Sequence, residues 1–246
     1  MKLLRQVNNN IKYVLFDKDG TLLDLDSVWV DWLNNVKYYL IINGWIKENK
    51  ISEFIKDIGI KEDKVILDSP LSVASENEMQ TIIAYHLYSI GIDWQQSVEI
   101  TGQSFMFAND QINKSSNMQL IKGVEKFLEK LYYSGRKIGV ITADTQENAE
   151  NHLYATNIAN WFHFIIGSDC VERSKPYPDM LDLAEKRYGV KMEETLFLGD
   201  SEVDVRMANL KQINQIVGVN NPSLITEYAI ENFENIQVID MKNNRK

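Results

Sequence analysis

Two aspartates separated by one residue, Asp17 and Asp19, close a short apolar run and are followed by Gly20 and Thr21. One carboxylate of such a pair can attack an electrophile such as phosphorus while the other handles the leaving-group proton, a division of labour between nucleophile and general acid/base. Ile11, Tyr13, Val14, Leu15 and Phe16 read as a buried strand between the polar run Asn8-Asn9-Asn10 and Gly20. Both carboxylates therefore fall at a strand's C-terminal end, where ligands bind in open α/β sheets. Alone, the pattern also describes an Asp-rich turn in which Gly20 supplies a positive φ.

Three later segments carry groups that complete such a site. Lys137-Ile138-Gly139-Val140-Ile141-Thr142 is a second strand-like run, ending in a hydroxyl at Thr142 and followed by Ala143-Asp144-Thr145 and a helical pattern. Ser174-Lys175-Pro176-Tyr177-Pro178-Asp179 places Lys175 in a Pro-bounded loop before a helix. Thr195-Leu196-Phe197-Leu198-Gly199-Asp200 is a third apolar run, ending in Gly-Asp with Asp204 four residues on. Each functional group lies at or just beyond a strand end, or in a loop that opens a helix.

In this order the four segments resemble the haloacid dehalogenase superfamily of phosphotransferases, and Gly123-Val124, Ser134-Gly135 and Lys-Pro-x-Pro-Asp resemble its phosphoglycolate-phosphatase-like branch. The resemblance implies Asp17 as nucleophile, Asp19 as general acid/base, Thr142 and Lys175 as phosphate-binding groups, and Asp200 and Asp204 as the acidic pair. It further implies Mg²⁺, ligated by Asp17, the backbone carbonyl of Asp19 and Asp200, with Asp204 bonding a metal-bound water or Lys175. Mg²⁺ is a hard, octahedral ion that prefers oxygen, which suits cancelling charge between an anionic phosphate monoester and an anionic aspartate. The activity so implied is Mg²⁺-dependent hydrolysis of small phosphomonoester metabolites, phosphoglycolate-like or sugar phosphates, through an aspartyl-phosphate. A sugar-phosphate mutase would use the same aspartates, and a binding or regulatory protein could keep the fold without turnover. Two places depart from the family pattern: Lys18, where many members carry an apolar residue, and Ala143-Asp144-Thr145, where Asn often follows the Thr.

Composition is that of an ordinary globular chain. The 246 residues are 44% hydrophobic and 25% charged, enough for one large or two modest domains. A net charge of −9 argues against nucleic acid or anionic membrane as the main partner, leaving a small phosphorylated metabolite. The single cysteine, Cys170, excludes an intramolecular disulfide and suits a reducing cytoplasm; it is expected to be a buried, inert thiol. No apolar run approaches membrane-spanning length.

Beyond the first strand, strands near 137–142, 163–166, 195–199, 215–219 and 236–239 alternate with helices near 122–134, 146–157, 179–188 and 203–210. This alternation predicts an α/β fold, a Rossmann-like doubly wound parallel sheet with helices on both faces, formed by 1–23 and 117–246. Residues 24–116 lack convincing strands and show helical spacing at Val28, Trp32, Val36 and Tyr39, predicting an inserted helical cap. Its many aromatics are expected to be mostly core, with a minority lining the substrate pocket or a homodimer contact.

Overall fold

The computed structural model describes residues 2–51, 57–114 and 117–241. The chain divides into two compact units, Met1–Asp24 with Gln119–Lys246, and Leu25–Met118.

The strands are β1 (Lys2–Leu3), β2 (Gln6–Val7), β3 (Tyr13–Phe16), β4 (Ile60–Lys61), β5 (Lys64–Val65), β6 (Lys137–Ile141), β7 (Phe164–Ile166), β8 (Thr195–Gly199), β9 (Gln215–Val219), β10 (Tyr228–Ile230) and β11 (Gln237–Val238). The first unit is a Rossmann-like α/β fold around a 7-stranded sheet of order β1-β10-β9-β8-β3-β6-β7. Every pairing in it is parallel.

Both faces of this sheet are covered, so its strands read as continuous apolar runs. Val14 and Phe16 of β3 pack with Phe127 and Leu131 of the helix Val124–Tyr133, with Leu153 of the helix Gln146–Ala155, and with Phe233. Leu15 points to the other face, joining Met180, Leu181 and Ala184 of the helix Asp179–Tyr188 and Met207 of the helix Glu202–Leu210. In register, Phe16 stands beside Val140 of β6 and Leu198 of β8. The C-terminal ends of three adjacent central strands therefore arrive side by side.

Three features of this unit differ from the sequence expectation. The segment near 236–239 does not join the main sheet: β11 pairs with β2 in a separate two-stranded ladder. Buried Arg136 helps to hold it there, donating to the carbonyls of Ile239, Ile11 and Asn8. At the sheet edge, β1 and β10 add strands too short to show a period. Cys170 is half-buried; its Sγ–H donates to Gln146 Oε1, and burial raises its pKa, which keeps the thiol protonated.

The second unit packs the helices Leu25–Ile42, Glu76–Ser89 and Trp94–Lys114 around Trp32, Val36, Leu40, Ile83, Leu87, Ile100 and Phe105. Ser75 starts the second of these helices with a capping box shared with Glu78. Contrary to the expectation of a strandless segment, β4 and β5 form an antiparallel hairpin. The aromatics divide between core and surface, with Trp29, Tyr39 and Trp45 packed half-buried against this core. Trp32 and Phe105 are buried, Trp32 donating from Nε1 to Asn109 Oδ1, while Tyr38, Tyr85, Tyr88 and Trp94 are exposed; Phe54 lies outside the described residues. Among the described residues no helix is long and apolar enough to cross a membrane.

Candidate active site

The first aspartate extends the β3 ladder by one bond, its N–H donating to the carbonyl of Leu198. The chain must then turn sharply, and Gly20 allows it twice over. Its φ is +81°, and a Cβ there would lie 2.0 Å from Asp200 Oδ2. Any side chain at position 20 would thus collide with the carboxylate arriving from β8. A Cβ on Gly199 would lie 2.7 Å from Asp204 Cγ, so the Gly-Asp ending of β8 likewise makes room for an acid.

Asp200 is anchored through its backbone: Asn221 Nδ2 donates to its carbonyl at 2.7 Å, while Thr21 Oγ1 approaches its side chain at 3.4 Å. Ser201 caps the helix Glu202–Leu210, and Asp204 completes the capping box by accepting from the Ser201 N–H and hydroxyl through Oδ2. Its other oxygen, Oδ1, is left to face Lys175. Local helix chemistry therefore orients Asp204 toward the site.

Lys175 Nζ lies 2.6 Å from Asp17 Oδ1 and 2.7 Å from Asp204 Oδ1, the latter an ion pair off the ideal hydrogen-bond direction. Oxygens of Asp17, Asp200 and Asp204 lie within 4.8 Å of one another, all buried. Burial pushes the Asp17 carboxyl up to about 7, with Lys175 opposing and Asp204 and Asp19 adding to the rise. Burial raises Asp200 well above the usual carboxylate range, helped by Asp17 and Asp204. The Lys175 pKa rises too: burial would lower it, but Asp17 and Asp204 outweigh that and hold the ammonium protonated.

With all three buried carboxylates ionised, one ammonium would leave two negative charges uncompensated in a low-dielectric site, which is why Asp17 and Asp200 hold their protons so tightly. Buried charge of this kind is paired or metal-bound. The donor set is all oxygen, clustered at a span a single hard cation can draw together, so these residues fit a divalent ion such as Mg²⁺.

The remaining two sequence candidates sit differently. Thr142 continues β6, its N–H donating to Ile166, and its hydroxyl accepts from the Asp144 N–H at 3.2 Å. It adjoins the Asp17 turn through the β3–β6 register. Asp19 turns its carboxylate onto Lys18, with Nζ 2.8 Å from each oxygen, which leaves its backbone carbonyl for any ligand role near Asp17. Burial raises the Asp19 pKa, and Lys18 works against the rise.

Lys18, Asp144 and His152 lie in this buried group without having been expected there. Lys18 is fully buried, and Asp144 and His152 nearly so. A helical-wheel reading could have found His152, which lies three residues after buried Ala149 on one face of its helix.

Residues 14–219 match the model of the haloacid dehalogenase-like hydrolase family. The chain is 35% identical over 201 residues to a phosphoglycolate phosphatase of Escherichia coli O157:H7, covering 81% of this chain and 77% of that protein. A predicted phosphoglycolate phosphatase of Haemophilus somnus superposes with a TM-score of 0.71 at 18% identity, over 92% of this chain and 96% of that one. A magnesium-bound HAD-hydrolase of Bacillus subtilis superposes with a TM-score of 0.66 at 16% identity, over 91% and 96%.

Proposed function

The chain belongs to the haloacid dehalogenase-like hydrolase family, and we propose that it is a Mg²⁺-dependent phosphatase of small phosphorylated metabolites, acting through an aspartyl-phosphate on Asp17. The observation that carries this reading is the Lys175 bridge, 2.6 Å to Asp17 and 2.7 Å to Asp204, set in a cluster where carboxyl groups outnumber the ammonium. A nucleophile, a fixed cation and a hard-cation site then coincide.

In this reading Lys175 orients the Asp17 carboxylate for in-line attack on phosphorus and offers its charge to a phosphate oxygen. The Thr142 hydroxyl donates to another oxygen of the same group. Attack forms the Asp17 O–P bond and breaks the P–O bond to the leaving alkoxide, which Asp19 protonates. Asp19, now a carboxylate, takes a proton from the water that hydrolyses the acyl phosphate, so both residues return to their starting states. Mg²⁺, held by Asp17, the Asp19 carbonyl and Asp200 with Asp204 behind them, would supply charge neutralisation between carboxylate and phosphate.

Phosphoglycolate-like substrates lead because the 35% identical relative is a phosphoglycolate phosphatase. The segment 24–116, the proposed substrate-reading cap, contains no arginine. Its lysines would meet a second anionic group as point charges, without the bidentate fork of a guanidinium. The deciding experiment is a panel of phosphomonoesters assayed for phosphate release with and without Mg²⁺. Mg²⁺-dependent release from small alkyl phosphates is expected. No release from any ester, or transfer back to sugar without release, refutes the reading.

A further inference from the structure

Lys18 stands between the two catalytic candidates with an ammonium that is wholly removed from solvent. Its Nζ lies 2.8 Å from each Asp19 oxygen, 3.0 Å from Asp144 Oδ2 and 2.9 Å from His152 Nδ1. An ammonium can only donate, so Nδ1 must accept, which leaves the imidazole neutral with its proton on Nε2. Burial and the Lys18 charge agree with that, holding the His152 pKa down to about 3. The 3.8 Å separation between His152 and Asp144 is therefore no ion pair. Asp144 is itself fixed, its Oδ1 accepting from the Thr145 N–H at 2.8 Å and from Asn148 Nδ2 at 3.1 Å. Lys18 thus has partners on three pieces of chain: it donates to Asp19 in the β3 turn and to His152 Nδ1 on the helix Gln146–Ala155, and it forms an ion pair, off the hydrogen-bond direction, with Asp144 Oδ2 in the loop after β6.

A buried ion pair is a poor source of stability, since apolar residues of similar volume often do as well or better. Geometry is what an ammonium adds here: a short, directional grip on one particular carboxylate. That carboxylate is the proposed acid/base. The two departures from the family pattern, Lys18 and Ala143-Asp144-Thr145, are also the two ends of one ion pair.

We propose that Lys18, locked in place by Asp144 and His152, is a positioning residue that fixes the Asp19 carboxylate for proton transfer. The inference rests on the phosphatase reading above and adds to it a buried relay of orientation, Asp144 and His152 to Lys18 to Asp19. An enzyme that holds its acid this way loses rate when the grip is removed, and loses it only where a proton must be delivered or taken.

The test is a double-mutant cycle of Lys18→Met and Asp19→Asn, assayed on the best alkyl phosphate of the panel and on 4-nitrophenyl phosphate. Lys18→Met is expected to lower kcat on the alkyl ester by about 10- to 100-fold, part of the 10²–10⁴ a placed acid supplies, with KM moving less than about threefold. The phosphorylation burst with 4-nitrophenyl phosphate falls less, because nitrophenolate departs without a proton. In the Asp19→Asn background Lys18→Met changes nothing further, since the group it positions is gone. Additive losses, equal losses on both esters, or a change confined to KM would overturn the proposal. Should Lys18→Met fail to fold, Asp144→Asn enters the same cycle: it leaves Lys18 in place without one anchor, and the same non-additivity with Asp19→Asn is expected. A wild-type protein that hydrolyses no phosphomonoester sinks the phosphatase reading and this inference together; an active wild type with additive variants sinks this inference alone.

Discussion

Lys175 and Lys18 are both buried ammonium groups serving the same turn of chain, yet their surroundings differ in a way that separates chemistry from support. Lys175 faces carboxylates of a cluster holding Asp17, Asp200 and Asp204, one cation against three acids, and Asp17 and Asp200 respond by resisting ionisation. Lys18 faces two carboxylates and a neutral imidazole. There burial opposes the ionisation of Asp144, but Lys18, His152 and Asn148 together outweigh it and Asp144 stays below its usual range. The first cluster lacks positive charge and would gain from a divalent cation and a polarised substrate. The second is nearly satisfied by its own members and can only hold. Two buried lysines thus do opposite work because their partners differ in number and charge.

The sharpest way to break this contrast is at Asp17, the proposed nucleophile. Asp17→Asn replaces a carboxylate by a near-isosteric amide that attacks poorly and binds a cation weakly, so turnover should vanish. The fold should stay, because the substitution relieves repulsion among the three acids; circular dichroism and a melting curve check it. A folded Asn variant with wild-type activity would overturn the assignment of Asp17.

Next in size is Lys175→Met. Removing one partner of a buried ionic network leaves the others uncompensated, which costs about 3–5 kcal/mol of stability. Turnover should fall by roughly a thousandfold, the scale of losing one electrostatic contact in a preorganised site. Mg²⁺ should recover part of the lost stability, by replacing missing positive charge, without recovering activity. Denaturant melts with and without Mg²⁺ separate the two effects, and an indifferent melting midpoint would refute the excess-charge description of this cluster.

Asp200→Ala is expected to act more mildly on fold and more specifically on the cation. The Mg²⁺ concentration for half-maximal activity should rise, while Ca²⁺ should inhibit the wild type because its larger, looser coordination disturbs in-line geometry. Full turnover with Ca²⁺, or an unchanged Mg²⁺ requirement in the variant, would remove Asp200 from the cation site.

Much of this architecture is readable from residue order, and the failures have local causes. The central strands could be found because both faces are buried, so that Tyr13–Phe16, Lys137–Ile141 and Thr195–Gly199 carry continuous apolar runs. Asp17, Lys175, Asp200 and Asp204 could be named because strand ends and helix starts leave marks in sequence: Gly20, the Pro-bounded loop, the Ser201 cap. The β4–β5 hairpin left no such mark. Its turn takes positive φ at Glu62 and Asp63, where Gly or Asn would have announced it. The Lys18–Asp144–His152 group was missed for a different reason. Its members come from a strand end, a loop and a helix, and only the fold reveals that a lysine beside two aspartates points inward. Among the aromatics between 24 and 116, Trp32 and Phe105 fill the bundle and Trp29, Tyr39 and Trp45 lie against its core, while helical spacing alone could not say that Tyr38, Tyr85, Tyr88 and Trp94 are left outside.

The smallest expected effect concerns the supporting cluster and appears only in acid. Burial, reinforced by the adjacent Lys18 charge and opposed by Asp144, holds His152 near a pKa of about 3, against the 6.5 of an ordinary imidazole. Between those values the unfolded chain binds a proton that the native state refuses, so native stability is full above pH 6.5 and falls as pH drops toward 3. One proton gives a slope of at most about 1.4 kcal/mol per pH unit. His152→Asn removes the titration while its amide oxygen can still accept from Lys18, so at pH 7.5 the two proteins should differ only by the packing change. Their stabilities should then converge or cross as pH falls from 6.5 to 4.5, because only the wild type pays the imidazole penalty while the carboxylates titrate alike in both. Urea melts at half-unit intervals of pH measure the difference directly. Parallel curves across that range would mean that His152 is protonated in the native state, that its Nδ1 cannot accept from Lys18, and that the second cluster is not the neutral-walled clamp described here.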